Sequence, residues 1–220
     1  MRKLTRKNLT IVLILIIGFA LTACSIVRHN SRDESKSKVV NQTLTNRKFK
    51  SLRVRTQSSA VAVKAGKEFA VIYHGEENLK PEVDRDKDSL SIEQKPKRFH
   101  KNDSEQTIVV TVPEKLTLVK IDAQDGAVLI NDLSAKSLAV GSEDSKITVN
   151  NLTTTSGTKL RTEDGNIVVK NSHFTGYQIN ASDGRIEIAG KGISGDFYRK
   201  RILSKNVLNA RSETGSIIVK

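Results

Sequence analysis

Four aspartates recur at the head of tight-turn dipeptides: Asp125-Gly126, Asp144-Ser145, Asp164-Gly165 and Asp183-Gly184. A row of carboxylates at regular spacing is one way to hold a divalent cation through oxygen ligands. A bend also selects Asp for its own local hydrogen bonds, and no nonapeptide calcium-repeat pattern is present. A turn role is therefore the expectation, and no metal is assigned. His29, His74, His100 and His173 are scattered, without the paired spacing of metal ligands. No Gly-rich phosphate loop or nucleophile elbow occurs, and Gly190-Lys191-Gly192 follows a strand pattern instead of opening a helix. No distinctive grouping of carboxylates with a basic residue points to polysaccharide cleavage, so the chain is read as non-catalytic and without cofactors.

Two basic loops carry a different chemistry. Lys95, Lys97, Arg98 and Lys101 surround Phe99, and Phe197-Tyr198 runs directly into Arg199-Lys200-Arg201. Cations beside aromatic rings suit contact with phosphate-bearing surfaces, the rings at an interface and the charges on the phosphates. The competing readings are a solvated hairpin tip for the first loop and aromatics that cap an open end of the fold for the second.

The single thiol, Cys24, has no disulfide partner within the chain. It follows Arg2, Lys3, Arg6 and Lys7, an almost wholly apolar run from Leu9 to Ala20, and Leu21-Thr22-Ala23. The run suits the core of a signal peptide and is short for a spanning helix. The last four residues resemble a bacterial lipobox, with a bulky apolar residue, two small ones that admit the peptidase, and a thiol that accepts a diacylglyceryl group. That resemblance implies cleavage after residue 23 and lipidation at Cys24, hence a lipid anchor on the extracytoplasmic face of the cell membrane.

Four basic residues precede Cys24, which leaves +9 of the formal +13 on the mature chain. The excess lies towards the two ends of that chain, with a near-neutral stretch from 116 to 190. Tryptophan is absent and aromatics make up 4% of residues, so stacking platforms for nucleic acid are not evident. An exported basic protein is instead expected to meet anionic lipid, teichoic acid or another acidic envelope polymer. Residues 24–46 are polar and charged and read as a lipidated, flexible tether, whose 22 residues after Cys24 would span about 25 Å as a coil.

From Phe49 onward the apolar residues alternate, and no 3.6-residue stripe persists over three turns. Residues 47–115 read as less regular strands. In 116–220 a repeat emerges. The second members of the turn dipeptides, ending with Thr214-Gly215, lie 19, 20, 19 and 31 residues apart. Each turn is followed by an alternating pair (Val128/Ile130, Ile147/Val149, Ile167/Val169, Ile186/Ile188, Ile217/Val219), and three residues before each second member comes a small residue: Ala123, Ser142, Thr162, Ala181 or Ser212. A unit of two short strands cannot bury a core alone, but units stacked in register can. The expectation is all-β: a parallel β-helix of about five regular rungs of roughly 20 residues, with an insertion near 190–206. Asp is expected to cap each bend, Gly to supply its positive φ, and Asp132, Asn151 and Asn171 to stack as an amide ladder. The alternative is an antiparallel meander with Asp-Gly hairpins.

The run Thr107-Ile-Val-Val-Thr-Val-Pro113, then Leu118-Val-Lys-Ile-Asp-Ala-Gln-Asp-Gly126, then the recurring Asp-Gly-x-Ile-x-Val units, resembles the bacterial β-strand-repeat family known as "putative adhesin", a domain of unknown function in envelope proteins. The resemblance covers roughly residues 48–220 and implies a β-helix in an envelope setting, with no catalytic motif to transfer. Three functions follow as expectations: an adhesin-like or envelope interaction module acting by binding, a regulatory or stress-sensing lipoprotein with an envelope protein as partner, and, third, a polysaccharide-active enzyme.

Overall fold

The computed structural model describes residues 38–95 and 105–220. Seven strands precede the regular repeats: β1 (Val39–Thr45), β2 (Ser51–Thr56), β3 (Ala60–Ala65), β4 (Ala70–Glu76), β5 (Glu82–Asp86), β6 (Ser89–Glu93) and β7 (Thr107–Val112). The repeats follow as strand pairs. These are β8 (Leu116–Ala123) with β9 (Val128–Asn131), then β10 (Ser134–Ser142) with β11 (Ile147–Asn150). After the two-residue β12 (Thr153–Thr154) come β13 (Thr158–Thr162) with β14 (Ile167–Lys170), and β15 (Gly176–Ala181) with β16 (Ile186–Ile188). The excursion β17 (Lys191–Ile193) and β18 (Phe197–Lys200) precedes the last pair, β19 (Val207–Ser212) with β20 (Ile217–Val219). Alternation sets the faces. In β7, Ile108, Val110 and Val112 are buried, while Thr107, Val109 and Thr111 look outward.

The two strands of a repeat do not pair with each other, so the hairpin alternative fails. β8 lies between β2 and β10, and β9 between β3 and β11, all parallel. Each repeat thus gives one strand to each of two sheets. The first runs β1-β4-β7-β3-β9-β11-β14-β20-β16-β17; the second runs β18-β15-β19-β13-β10-β8-β2-β6-β5, with β12 beside β10. Register places Ile121 beside Val140, Val140 beside Leu160, Leu160 beside Ala210, and Ala210 beside Ile179. The inward columns merge into one continuous core, and every buried side-chain nitrogen or oxygen among the described residues has a hydrogen-bond partner. The molecule is all-β, with two open, stacked sheets.

Several expectations are corrected. Units do not stack in chain order: β19–β20 enters between β13–β14 and β15–β16, and β2–β3 lies between β6–β7 and β8–β9. Equivalent columns make the units interchangeable neighbours, and this order places the final strand inside a sheet, away from its edge. Antiparallel strands finish each sheet beyond the parallel units: β17 on β16, β18 on β15, β4 on β7 with β1 outside it, and β5 on β6. The proposed tether of 24–46 includes β1, which pairs antiparallel with β4 while Val40 and Leu44 pack against the core. Residues 1–37, and with them Cys24, lie outside the described residues.

The bends also differ from expectation. The hydroxyl three residues before the turn closes it, accepting from the backbone N–H: Gly165 to Thr162, Gly215 to Ser212, Ser145 to Ser142 and Ser59 to Thr56, at 2.9–3.1 Å. Glycine at the turn answers to proximity instead of φ. A Cβ on Gly165 would collide with the carbonyl of Ser145 one unit away, and one on Gly126 with the carbonyl of Ser59. The left-handed backbone sits at the opposite corner, at Asp132, Asn151 and Asn171 (φ 49–53°), residue types whose short side chains tolerate it. One link of the expected ladder forms there: Asn151 Nδ2 donates to Asp132 Oδ1 at 2.7 Å.

Candidate functional site

Lys95, just after β6, and the run from Phe197 to Arg201, in and just after β18, lie at opposite ends of the second sheet. Seven strand spacings separate them, about 34 Å. Lys95 and Arg199 therefore do not share a site.

At the β6 end Gln94 stands where other units bend. It occupies the column that holds Thr56 on the neighbouring β2, and its side chain closes the opening. Its Oε1 accepts from Thr56 Oγ1 at 2.7 Å, and its Nε2 donates to the Leu79 carbonyl at 2.9 Å and to Gln106 Oε1 at 2.8 Å. Gln94 and Gln106 are both buried and pin the base of the basic loop. Sequence reasoning missed this pair, since two glutamines twelve residues apart carry no periodic signal. Lys95, just beyond, is exposed and bound to Glu82 at 2.7 Å, and that hydrogen bond raises its pKa above the ordinary lysine value. Lys97, Arg98 and Lys101 lie outside the described residues.

At the other end, β18 alternates. Tyr198 turns inward and meets Tyr177 edge-on at 6.3 Å, and Tyr177 meets Phe174 at 6.1 Å. This aromatic series closes the core beneath the last unit. Burial, and then Tyr198, raise the pKa of Tyr177 above 10. Phe197 and Arg199 face solvent, with the guanidinium 4.3 Å from the ring centroid. Lys200 and Arg201 are exposed, Arg201 with φ 48°. One side of β18 therefore caps the core, and the other presents a cation on an aromatic ring.

The aspartate row is broken. Interleaving puts Thr214 next to Asp164, and Thr214 Oγ1 donates to Asp164 Oδ1 at 3.0 Å. Among the described residues no three Asp, Glu, His or Cys side chains gather as metal ligands. A shallow groove of about 430 Å³ crosses the bends beside Gly141, bordered by Arg55, Glu93, Asp122 and Glu143.

The outer faces of the sheets contrast. On the second, opposite charges meet: Arg55 with Glu93 (3.5 Å), Lys120 with Asp122 (3.1 Å), and Arg161 and Arg211 with Glu213 (3.4 and 3.5 Å). On the first, one pair forms near the β16 edge, Arg185 with Glu187 (3.8 Å), while Lys64, Lys170 and Lys220 are exposed and have no ion-pair partner among the described residues, beside a row of apolar side chains.

The repeats and two-sheet stack place the chain among known proteins, for residues 49–220 match the model of one family throughout. The chain belongs to the Toastrack DUF4097 family. A Toastrack domain is β-solenoid-like, in agreement with the stacked units described above. The fold is shared with a structure described as a putative cell adhesion protein from Clostridium sporogenes, at 19% identity and a TM-score of 0.63, covering 84% of this chain and 99% of that one. A putative adhesin from Bacteroides fragilis matches at 13% identity and a TM-score of 0.41, over 84% and 98% of the two chains. A putative lipid binding protein from Parabacteroides distasonis matches at 11% and 0.32, over 83% and 94%. No curated protein matches the sequence.

Proposed function

We propose that this Toastrack protein is a lipid-anchored, non-catalytic binding module of the cell envelope, held through Cys24 on the extracytoplasmic face of the membrane and directed at anionic lipid, teichoic acid or a related envelope polymer. The observation that carries the reading is the build of the surface. Side chains repeat in rows from unit to unit, which suits an extended ligand better than a small substrate. Among the described residues the titratable groups with clearly shifted pKa values, Tyr73, Tyr177 and Lys95, owe them to burial or a surface ion pair and do not converge in one cleft. The basic residues at the two ends, Arg199 over Phe197 among them, support polyanion contact.

Two measurements test this. The wild-type protein is expected in the membrane fraction and C24S outside it, with a diacylglyceryl mass increment on Cys24; an unmodified thiol with the leader attached overturns the anchor. Replacing Arg199, Lys200 and Arg201 together by Ala is expected to weaken sedimentation with teichoic acid or anionic liposomes. Unchanged binding at low salt removes that end from the site.

A further inference from the structure

The solvent side of the first sheet carries an apolar row that the fold leaves uncovered. Ile72, Val109, Ala62, Leu129, Val168 and Ile218 follow one another across the strands by direct register, with Thr148 between Leu129 and Val168, and the row ends at Glu187 of β16, whose charge is met by Arg185 at 3.8 Å. Leu129 is 38% exposed and the others are half-buried. The row crosses seven strands, about 29 Å. Lys64 of β3, Lys170 of β14 and the adjoining Lys220 lie one outward position further along, with Asn131 and Asn150 between Lys64 and Lys170 in register.

We propose that this face is the surface on which the protein rests against an anionic phospholipid bilayer. The inference rests on the anchored-module reading and says which face of the module meets the lipid. Charge favours that occupant over a second copy, since two such faces would bring unpaired lysines together. Shape agrees: short, mostly β-branched side chains make a broad, shallow surface, with lysine stems long enough to keep their ammonium groups among phosphates while the row meets the headgroup boundary. Chain path agrees as well. The polypeptide enters this sheet through its end strand β1, where Val39 is 51% exposed and Thr43 stands beside Ile72. Fourteen residues, 25–38, separate that strand from Cys24.

The test uses the mature chain, residues 24–220, with Cys24→Ser, so that no acyl group contributes. Binding is measured by co-sedimentation with vesicles of phosphatidylcholine and phosphatidylglycerol at 3:1, with circular dichroism as the check on folding. The triple variant K64E/K170E/K220E is expected to bind at least about 100-fold more weakly, at roughly fivefold per lysine near an anionic surface. L129D is expected to lose about tenfold, whereas K159E, exposed on the second sheet, stays within about twofold. The proposal is overturned if the triple variant binds as wild type, if K159E loses as much as the triple variant, or if L129D has no effect while soluble teichoic acid binds as tightly as the vesicles do. Acylation of Cys24 is read separately by mass spectrometry of the native protein. Failure of the anchor therefore leaves the vesicle result standing, and the reverse holds too.

Discussion

The middle of the stack and its two ends solve different problems. In the middle every unit has a neighbour on both sides, and one device repeats: a hydroxyl closes the bend, a glycine admits the carbonyl of the next unit, and a Val, Ile or Leu fills the column. At the ends no further unit exists, and each end is finished differently. The β6 end uses the Gln94–Gln106 clasp and the phenol of Tyr73, which donates to the Glu76 carbonyl at 2.8 Å. The β18 end uses the Phe174, Tyr177 and Tyr198 rings. A repeated interior is tolerant of unit order, whereas an end must be made once, from particular residues.

The same substitution placed in both regions gives the sharpest test. G165A drives a Cβ into the Ser145 carbonyl and is expected to cost about 3 kcal/mol, whereas G192A, with nothing within 4 Å, leaves stability nearly unchanged. Urea unfolding of both variants measures the difference, and equal losses would erase the distinction. Next in size is an alkaline effect at the β6 end. Burial, and then Glu76, push the Tyr73 phenol up to about 12. The fold holds the neutral form, so its contribution is intact below pH 10 and is lost as pH rises from 10 to 12, about 2–3 kcal/mol in all. Y73F should flatten that limb of the stability–pH curve. Q94A removes the side-chain donor to the Leu79 carbonyl and the shortest hydrogen bonds of Thr56 Oγ1 and Gln106 Oε1, and is expected to cost about 2 kcal/mol by the same urea measurement. Smallest is R161A in the middle. Its ion pairs with Glu163 and Glu213 are half-exposed, and the change should stay under about 1 kcal/mol.

Much of the middle was legible in the residues. The matching columns of Ile121, Val140, Leu160, Ile179 and Ala210 announce their register because a side chain that must face a shared core in each unit repeats at the unit's length. The αL corner was half legible. Asp132, Asn151 and Asn171 stood out as a column, but their backbone role was credited to the bend glycines, whose requirement is contact across units and not φ. The aspartates suggested caps, while the hydroxyls of Thr56, Ser142, Thr162 and Ser212, three residues back, close four of the bends. The first sheet's outer row escaped notice because its members come from strands scattered from 62 to 218 and share no motif.

Taken alone, the amino-acid order determined the all-β class, the inward columns and the family to which the chain belongs, since periodic side-chain identity is a local property of each segment. Tertiary structure decided which unit sits beside which, how the edges are closed, and that Lys95 and Arg199 stand about 34 Å apart instead of sharing a site. Units with equivalent columns fit any neighbour equally well. Only the cost of an uncovered edge, felt by the whole stack at once, selects among their orders.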